Sequence, residues 1–274
     1  MSALLEVKGL TKHYQYRQGF FQKRTIKAVQ DVSFVLEKGQ TLAIVGETGS
    51  GKSILAKMLA GVIEPTQGEI TVNGEIITAN DIDSRCKLIR MIFQDPNTSL
   101  NPKLQIGQIL EGPLQRNTNM TPQARERRIN DILKRVGLLP EHAYFYPQML
   151  ATGQKQRVSL ARALILQPCI LIADEPLRGL DMSMRSQMIN LLLELQEEMG
   201  LSYVYVSQHL SLIKHFSDKI LVMREGKIIE MGKTAQIFQQ PEHPFTQKFI
   251  ESHFCGVTKK TKEPISRSTP ILLP

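Results

Sequence analysis

The sequence has no tryptophan and only three cysteines in 274 residues, Cys86, Cys169 and Cys255. Their wide spacing excludes a disulfide framework and a Cys-x-x-Cys metal site, and points to a reducing compartment. Long apolar runs are missing as well. The best candidate, residues 163 to 173, is broken by Gln167 and Pro168 and falls short of the ~18 uninterrupted apolar residues of a spanning helix, so any membrane role is expected to be peripheral. Residues Met1 to Lys8 carry neither a basic n-region nor an apolar core, so no secretory signal is expected. Acids are in the minority: 26 Asp and Glu against 34 Lys and Arg leave a net charge of +8. That excess suits an anionic membrane surface or nucleic acid, and charge alone does not choose between them. Part of it lies near the C-terminus, where Lys259, Lys260, Lys262 and Arg267 face only Glu263, the pattern of a solvated tail. No internal repeat is visible. What remains, 42% hydrophobic and 22% charged, is the composition of a globular protein. Its length suits one sizeable α/β domain or two small ones.

The chemistry is concentrated in residues 41 to 61. Leu42 to Val45 form a short apolar run suited to a buried strand, and Ile54, Leu55, Met58 and Leu59 recur at helical spacing. Between them stands Gly46-Glu47-Thr48-Gly49-Ser50-Gly51-Lys52-Ser53, which satisfies the spacing G-x-x-x-x-G-K-[ST] of a phosphate-binding loop. The glycines let successive backbone N–H groups face one anion, and the following helix adds its positive end. Lys52 supplies a mobile charge for the β/γ-phosphates, and the Ser53 hydroxyl is a ligand for Mg²⁺. A chance Lys-Ser after a glycine turn is the bland alternative; placement between strand and helix argues against it.

Elsewhere, Leu4 to Val7, Val32 to Leu36, Glu69 to Val72, Arg90 to Phe93, Ile170 to Ala173, Tyr203 to Val206, Ile220 to Met223 and Lys227 to Glu230 read as strands. Residues 19 to 27 look like a basic, aromatic insertion whose Phe20 and Phe21 either pack on a hairpin or touch a partner, local packing being the favoured reading. Asp95 to Pro113 has loop composition. A helix is predicted from Thr121-Pro122 to Gly137, another from Gln154 to Leu166, and a third along the stripe Met184, Met188, Leu191, Leu192, Leu195 and Met199, capped by Gly200. Strands alternating with helices predict an α/β fold with a parallel sheet, and residues 95 to 160 interrupt it as an inserted helical subdomain.

An NTPase also needs an acid for the metal and something to orient water. Asp174 and Glu175 end the apolar run Cys169-Ile170-Leu171-Ile172-Ala173, so Asp174 is expected at the metal and Glu175 at the attacking water. Alone, His209 reads as a surface or capping residue and Gln94 as a loop glutamine.

Together these pieces resemble the nucleotide-binding subunits of ABC transporters over almost the whole chain, from about Leu4 to His253. The resemblance implies a P-loop NTPase with a RecA-like core, an antiparallel β subdomain and a helical subdomain at about 95 to 160. It implies a cassette over residues 1 to 253 and a basic, disordered tail from 254 to 274. Gly46 to Ser53 is similar to Walker A and Cys169 to Glu175 to Walker B. The likeness makes Gln94 the Q-loop residue at Mg²⁺ or water, His209 the switch histidine, Asp181 the end of the D-loop and Tyr14 the aromatic on adenine, with Tyr16 second. ATP and Mg²⁺ are the cofactors implied. The partners implied are a second ATPase subunit, two transmembrane permease subunits at the cytoplasmic face of the membrane and, indirectly, a substrate-binding protein, with no nucleic acid.

The family signature Leu-Ser-Gly-Gly-Gln stands here as Leu150-Ala151-Thr152-Gly153-Gln154. Losing the serine hydroxyl removes a charge-assisted bond worth about 1.5–3 kcal/mol, and the site it weakens belongs to the partner cassette. A heterodimer with an intact-signature partner is therefore expected, with a homodimer as the alternative. Leu177-Arg178-Gly179, where the family usually has Thr-Ser-Ala, is a smaller departure. The stretch from Gln94-Asp95-Pro96 to Thr98-Ser99-Leu100-Asn101-Pro102, with His243-Pro244-Phe245-Thr246, looks like the oligopeptide and dipeptide importer ATPases. The short C-terminus and Ala151 most resemble the F subunits of Sap-type peptide-transport systems. Competing readings are a soluble ABC ATPase acting on ribosomes or nucleic acid, a P-loop kinase or a GTPase, the last lacking its Asn-Lys-x-Asp reader, and a protein that binds ATP without hydrolysing it.

Overall fold

Alternating apolar residues at the N-terminus pair into a long antiparallel hairpin, β1 (Ala3–Gln18) with β2 (Gln22–Glu37). The computed structural model describes residues 3–18, 22–78 and 81–258, so Phe20, Phe21 and most of the basic tail lie outside the described residues. The basic segment before Lys27 is not a separate insertion: it is the start of β2, with Ile26 opposite Tyr14 and Arg24 opposite Tyr16. A central strand β3 (Thr41–Val45) leads into helix α1 (Lys52–Leu59). Next come β4 (Gln67–Val72), β5 (Glu75–Ile76), α2 (Ile82–Leu88) and β6 (Ile89–Ile92).

Helices then dominate: α3 (Pro96–Ser99), α4 (Ile106–Asn117), α5 (Pro122–Arg135) and α6 (Thr152–Leu164). The loop expected from 95 to 113 is thus replaced in part by α3 and α4, the latter holding Pro113 in its interior. Burial of Ile106, Ile109, Leu110 and Leu114 on one face outweighs the proline's missing donor. α5 starts as its sequence predicts, with the Thr121 hydroxyl accepting from the Ala124 N–H at 3.2 Å and Pro122 in the first turn. α6 begins two residues before the predicted Gln154.

Strand β7 (Ile170–Asp174), helix α7 (Met182–Met199), strand β8 (Ser202–Val206), helix α8 (Leu210–Phe216), strands β9 (Lys219–Arg224) and β10 (Lys227–Lys233), and helices α9 (Thr234–Gln239) and α10 (Pro244–Thr258) complete the chain. α10 continues past His253, so the tail expected from residue 254 starts as helix. On α7 the predicted stripe is buried at Met188, Leu191, Leu192 and Leu195, whereas Met184 is 40% exposed.

Among the described residues the strands form two sheets. One is antiparallel, ordered β2-β1-β4-β5; the other is ordered β10-β9-β3-β8-β7-β6, parallel except for β10. β3, β7 and β8 are buried at every position, as strands covered on both faces must be. Alternation shows both covers. Leu42, Ile44, Ile170, Ile172, Val204 and Val206 face α1 and the antiparallel sheet. Leu171, Ala173, Tyr203 and Tyr205 face the helical layer of α4 to α7, and Ala43 and Val45 face α8 to α10. The phosphate loop, Gln94 and Asp174-Glu175 follow the C-terminal ends of β3, β6 and β7, where open parallel sheets bind ligands.

Candidate nucleotide-binding site

The loop after β3 can be formed only with its glycines. Gly46, Gly49 and Gly51 have φ of 147°, 85° and 101°, and a Cβ at Gly46 would run into the Met223 carbonyl. The loop is also tied down from outside. The Gly226 N–H, in the turn between β9 and β10, donates to the Ser50 carbonyl at 3.0 Å, and the Gln30 N–H of β2 donates to the Gly226 carbonyl at 2.8 Å. Lys52, 5% exposed, turns its ammonium back into the loop and donates to the carbonyls of Gly46 at 2.8 Å and Glu47 at 2.7 Å and to Ser50 Oγ at 3.3 Å. Burial pushes its pKa down, against the pull of Glu175, Asp174 and Glu47.

Ser53 is the second residue of α1, and its Oγ donates to Asp174 Oδ1 at 3.0 Å. This bond joins the phosphate loop, entering α1, to the acid at the end of β7. Asp174 is 4% exposed, and burial raises its pKa while the Ser53 bond and Lys57 oppose the rise. A hydroxyl and a carboxylate side by side are hard oxygen donors, the set that suits Mg²⁺ shared with substrate phosphates. Among the described residues there is no cluster of three or more His, Cys, Asp and Glu able to hold a metal ion.

Glu175 lies one residue past the strand in the left-handed region, φ 45°, its N–H held by the Val206 carbonyl at 2.9 Å. This twist, beyond simple strand alternation, separates the two acids. Glu175 Oε1 accepts from Gln208 Nε2 at 2.7 Å, and the same nitrogen reaches Thr48 Oγ1 at 3.3 Å. Glu175 Oε2 lies 3.6 Å from a terminal nitrogen of Arg178. The Gln94 amide, oriented with its oxygen toward Arg178, accepts from Nε at 3.3 Å and from a terminal nitrogen of that guanidinium. The Gln94 side chain, expected at Mg²⁺ or water, is thus held by Arg178. His209 stands before α8 with its N–H on Ser207 Oγ at 3.0 Å. Its pKa is lowered, by burial first and then by Arg185, against Glu175.

The remaining candidates stand apart from this cluster. Leu150 is buried, Ala151 caps α6 without a side-chain bond, Thr152 and Gly153 form the first turn, and Gln154 Oε1 accepts from the Ala151 N–H at 3.0 Å. Asp181 Oδ1 accepts from the Met184 N–H at 2.9 Å, a cap for α7. Tyr14 is 38% exposed on β1 with Lys12 Nζ 5.3 Å from its ring centroid. Three participants escaped sequence reasoning. Gln208 and Gly226 belong to no motif considered there, and Arg178 stood out only as a departure.

Comparison with known proteins agrees with this geometry. The family described as ABC transporter matches residues 29–178. A peptide transport system ATP-binding protein SapF of Salmonella typhimurium is 54% identical over 93% of this chain and 95% of its own length, and the Escherichia coli K12 protein with the same coverage and identity is named a putrescine export system ATP-binding protein SapF. The dipeptide transport ATP-binding protein DppF of Haemophilus influenzae is 44% identical over 91% of this chain and 77% of its own. Among solved structures, the ATP-binding cassette MJ0796, a dimer in a post-hydrolysis state bound to ADP and Pi, superposes with a TM-score of 0.74 at 28% identity, covering 84% of this chain and 98% of that one. CbiO1 of Clostridium perfringens, part of an ABC transporter complex, superposes at 0.73 with 26% identity over 94% of this chain and 98% of its own.

Proposed function

The chain belongs to the ABC transporter family, and from that premise we propose that it is the ATP-hydrolysing motor of a peptide-type transporter, working through separate transmembrane subunits. The observation that carries this reading is the bond between Ser53 and Asp174 beside Lys52 and Glu175, which assembles phosphate, metal and water functions at one end of the sheet.

Incoming phosphate oxygens would replace the carbonyls on which the Lys52 ammonium rests, and their charge favours keeping it protonated despite burial. Ser53 and Asp174 would hold Mg²⁺, which when bound neutralises phosphate charge. Glu175 orients a water, takes its proton as the water oxygen bonds to the γ-phosphorus, and ADP leaves with the electron pair of the broken P–O bond. His209 is assigned to the γ-phosphate side and Tyr14 to adenine. Each signature loop completes the other cassette's site, so Ala151 and Thr152 weaken the partner's site, and an intact-signature partner makes a heterodimer. Closure and reopening of that pair would pass through the helical layer to the permeases. Among the described residues no helix is long and apolar enough to cross a membrane, so the membrane-crossing part is assigned to the separate permease subunits, docked at the cytoplasmic face.

Peptide as cargo is supported by the names of the SapF relative of Salmonella and the DppF relative. The E. coli K12 relative's name supports a second reading, putrescine export. Stimulation of the reconstituted complex's ATPase by short peptides or by putrescine separates the two. The motor assignment itself is tested with Lys52→Ala and Glu175→Gln in the complex isolated through a tag on this chain. The first is expected to lose Mg-ATP binding and the second to retain it while losing most turnover. Unchanged turnover in Glu175→Gln refutes the assignment.

A further inference from the structure

Arg178 stands where neither the phosphate loop nor the signature explains it. Gln94 and Glu175 follow adjacent parallel strands, β6 and β7, paired as far as Ile92 and Ala173. The Arg178 guanidinium bridges the gap, hydrogen-bonded to the Gln94 oxygen and ion-paired with Glu175 Oε2 at 3.6 Å. Its backbone is fixed for the task. The Arg178 N–H donates to the Glu175 carbonyl at 3.1 Å, and Leu177 and Leu180 on either side are 2% and 5% exposed. One residue nearer the acid, the Pro176 carbonyl accepts from the buried Gln156 side chain of α6, the helix that begins at the signature. Gln208 donates to Oε1 of Glu175, and Arg178 forms an ion pair with Oε2 at 3.6 Å, so each carboxylate oxygen faces a donor.

We propose that Arg178 is a positioning residue, a clip that holds Gln94 against Glu175 and keeps the carboxylate from orienting water until the segment after Gln94 moves. This rests on the assignment of Glu175 as the water-orienting acid. Only a planar fork serves. Nε and Nη1 together take the amide oxygen while the same Nη1 lies 3.6 Å from the carboxylate, an arrangement of two coplanar nitrogens that a single ammonium does not reproduce. Displacement of the segment that begins at Gln94 and runs into α3 stretches these bonds before it changes anything in the phosphate loop, so release of the acid is tied to motion of the helical layer.

The test compares Arg178→Ala and Arg178→Lys with the parent chain, each in the complex captured through a tag on this chain, measuring cargo-free ATPase against ATP concentration. Arg178→Ala is expected to raise kcat about two- to five-fold, the scale of an ion pair whose arginine is largely exposed, with KM for ATP and the melting temperature unchanged. Arg178→Lys is expected between the two, because its single ammonium holds one partner at a time. An unchanged or lowered kcat in Arg178→Ala overturns the clip, as does full parental behaviour in Arg178→Lys. Glu175→Gln, run in parallel, separates the failures: if it abolishes turnover while Arg178→Ala changes nothing, the clip fails and the motor assignment stands.

Discussion

Ala151→Ser offers a prediction in which stability and activity can be read separately. Ala151 already has the extended backbone of a helix cap, φ −65° and ψ 159°, but no side-chain acceptor. Half of a reciprocal capping arrangement is present, since Gln154 Oε1 accepts from the Ala151 N–H at 3.0 Å. A serine here needs no backbone change to accept from the Gln154 N–H, the other half. Such a cap is worth roughly 0.5–2 kcal/mol, typically about 1. In a domain approaching this size that corresponds to a melting temperature higher by about 2–4 °C, measured on the nucleotide-free full chain by circular dichroism. An unchanged or lower melting temperature would refute the helix-start geometry. Independently, the hydroxyl restored to the partner's nucleotide should raise ATPase of the assembled complex by about tenfold or more, from a charge-assisted bond of about 1.5–3 kcal/mol. A stabilised chain with unaltered ATPase would sink the proposal that this loop faces the partner's phosphate.

Two further changes probe the core beneath the site. Burial raises the Asp174 pKa, so the fold favours its protonated form: the stability it contributes is complete below the unfolded-chain pKa and is lost as pH rises through the higher folded one. Asp174→Asn, which keeps an acceptor for Ser53, should therefore raise the nucleotide-free melting temperature at pH 7 while abolishing Mg-dependent ATP binding; a lower melting temperature contradicts the sign. Tyr203→Phe removes the hydroxyl that donates to the Leu192 carbonyl at 2.8 Å inside the core and should cost about 1 kcal/mol. Urea unfolding reads this as a lower midpoint with an unchanged slope, and an unmoved midpoint would count against the bond.

The phosphate loop and the strand ending at Asp174 were legible because their chemistry is local: glycines, a lysine and an acid at fixed spacing in an apolar frame. Most strands were legible for the same reason, as short buried runs. α4 was not, because Pro113 and its polar neighbours give loop composition, and only packing of Ile106, Leu110 and Leu114 against the other helices makes it a helix. The orientation of Gln94 could not be read either. Its partner, Arg178, lies 84 positions away in the sequence and is brought close by pairing of β6 with β7. Met184 satisfied a period of helical spacing yet stays largely exposed, since periodicity marks a face without saying how far the neighbouring layer extends.

The turn at Glu225-Gly226 lies far from every recognisable motif, yet its two backbone bonds fasten the Ser50 carbonyl to β2. The anion cradle is thereby stitched to the seam where the antiparallel and parallel layers meet. A rocking of one layer against the other would be felt first as a change in grip on the triphosphate, so nucleotide affinity can report tilts that leave every recognisable motif intact. Substitutions at Gly226 would then mimic a damaged phosphate loop although they lie outside its sequence, acting through the bond to the Ser50 carbonyl.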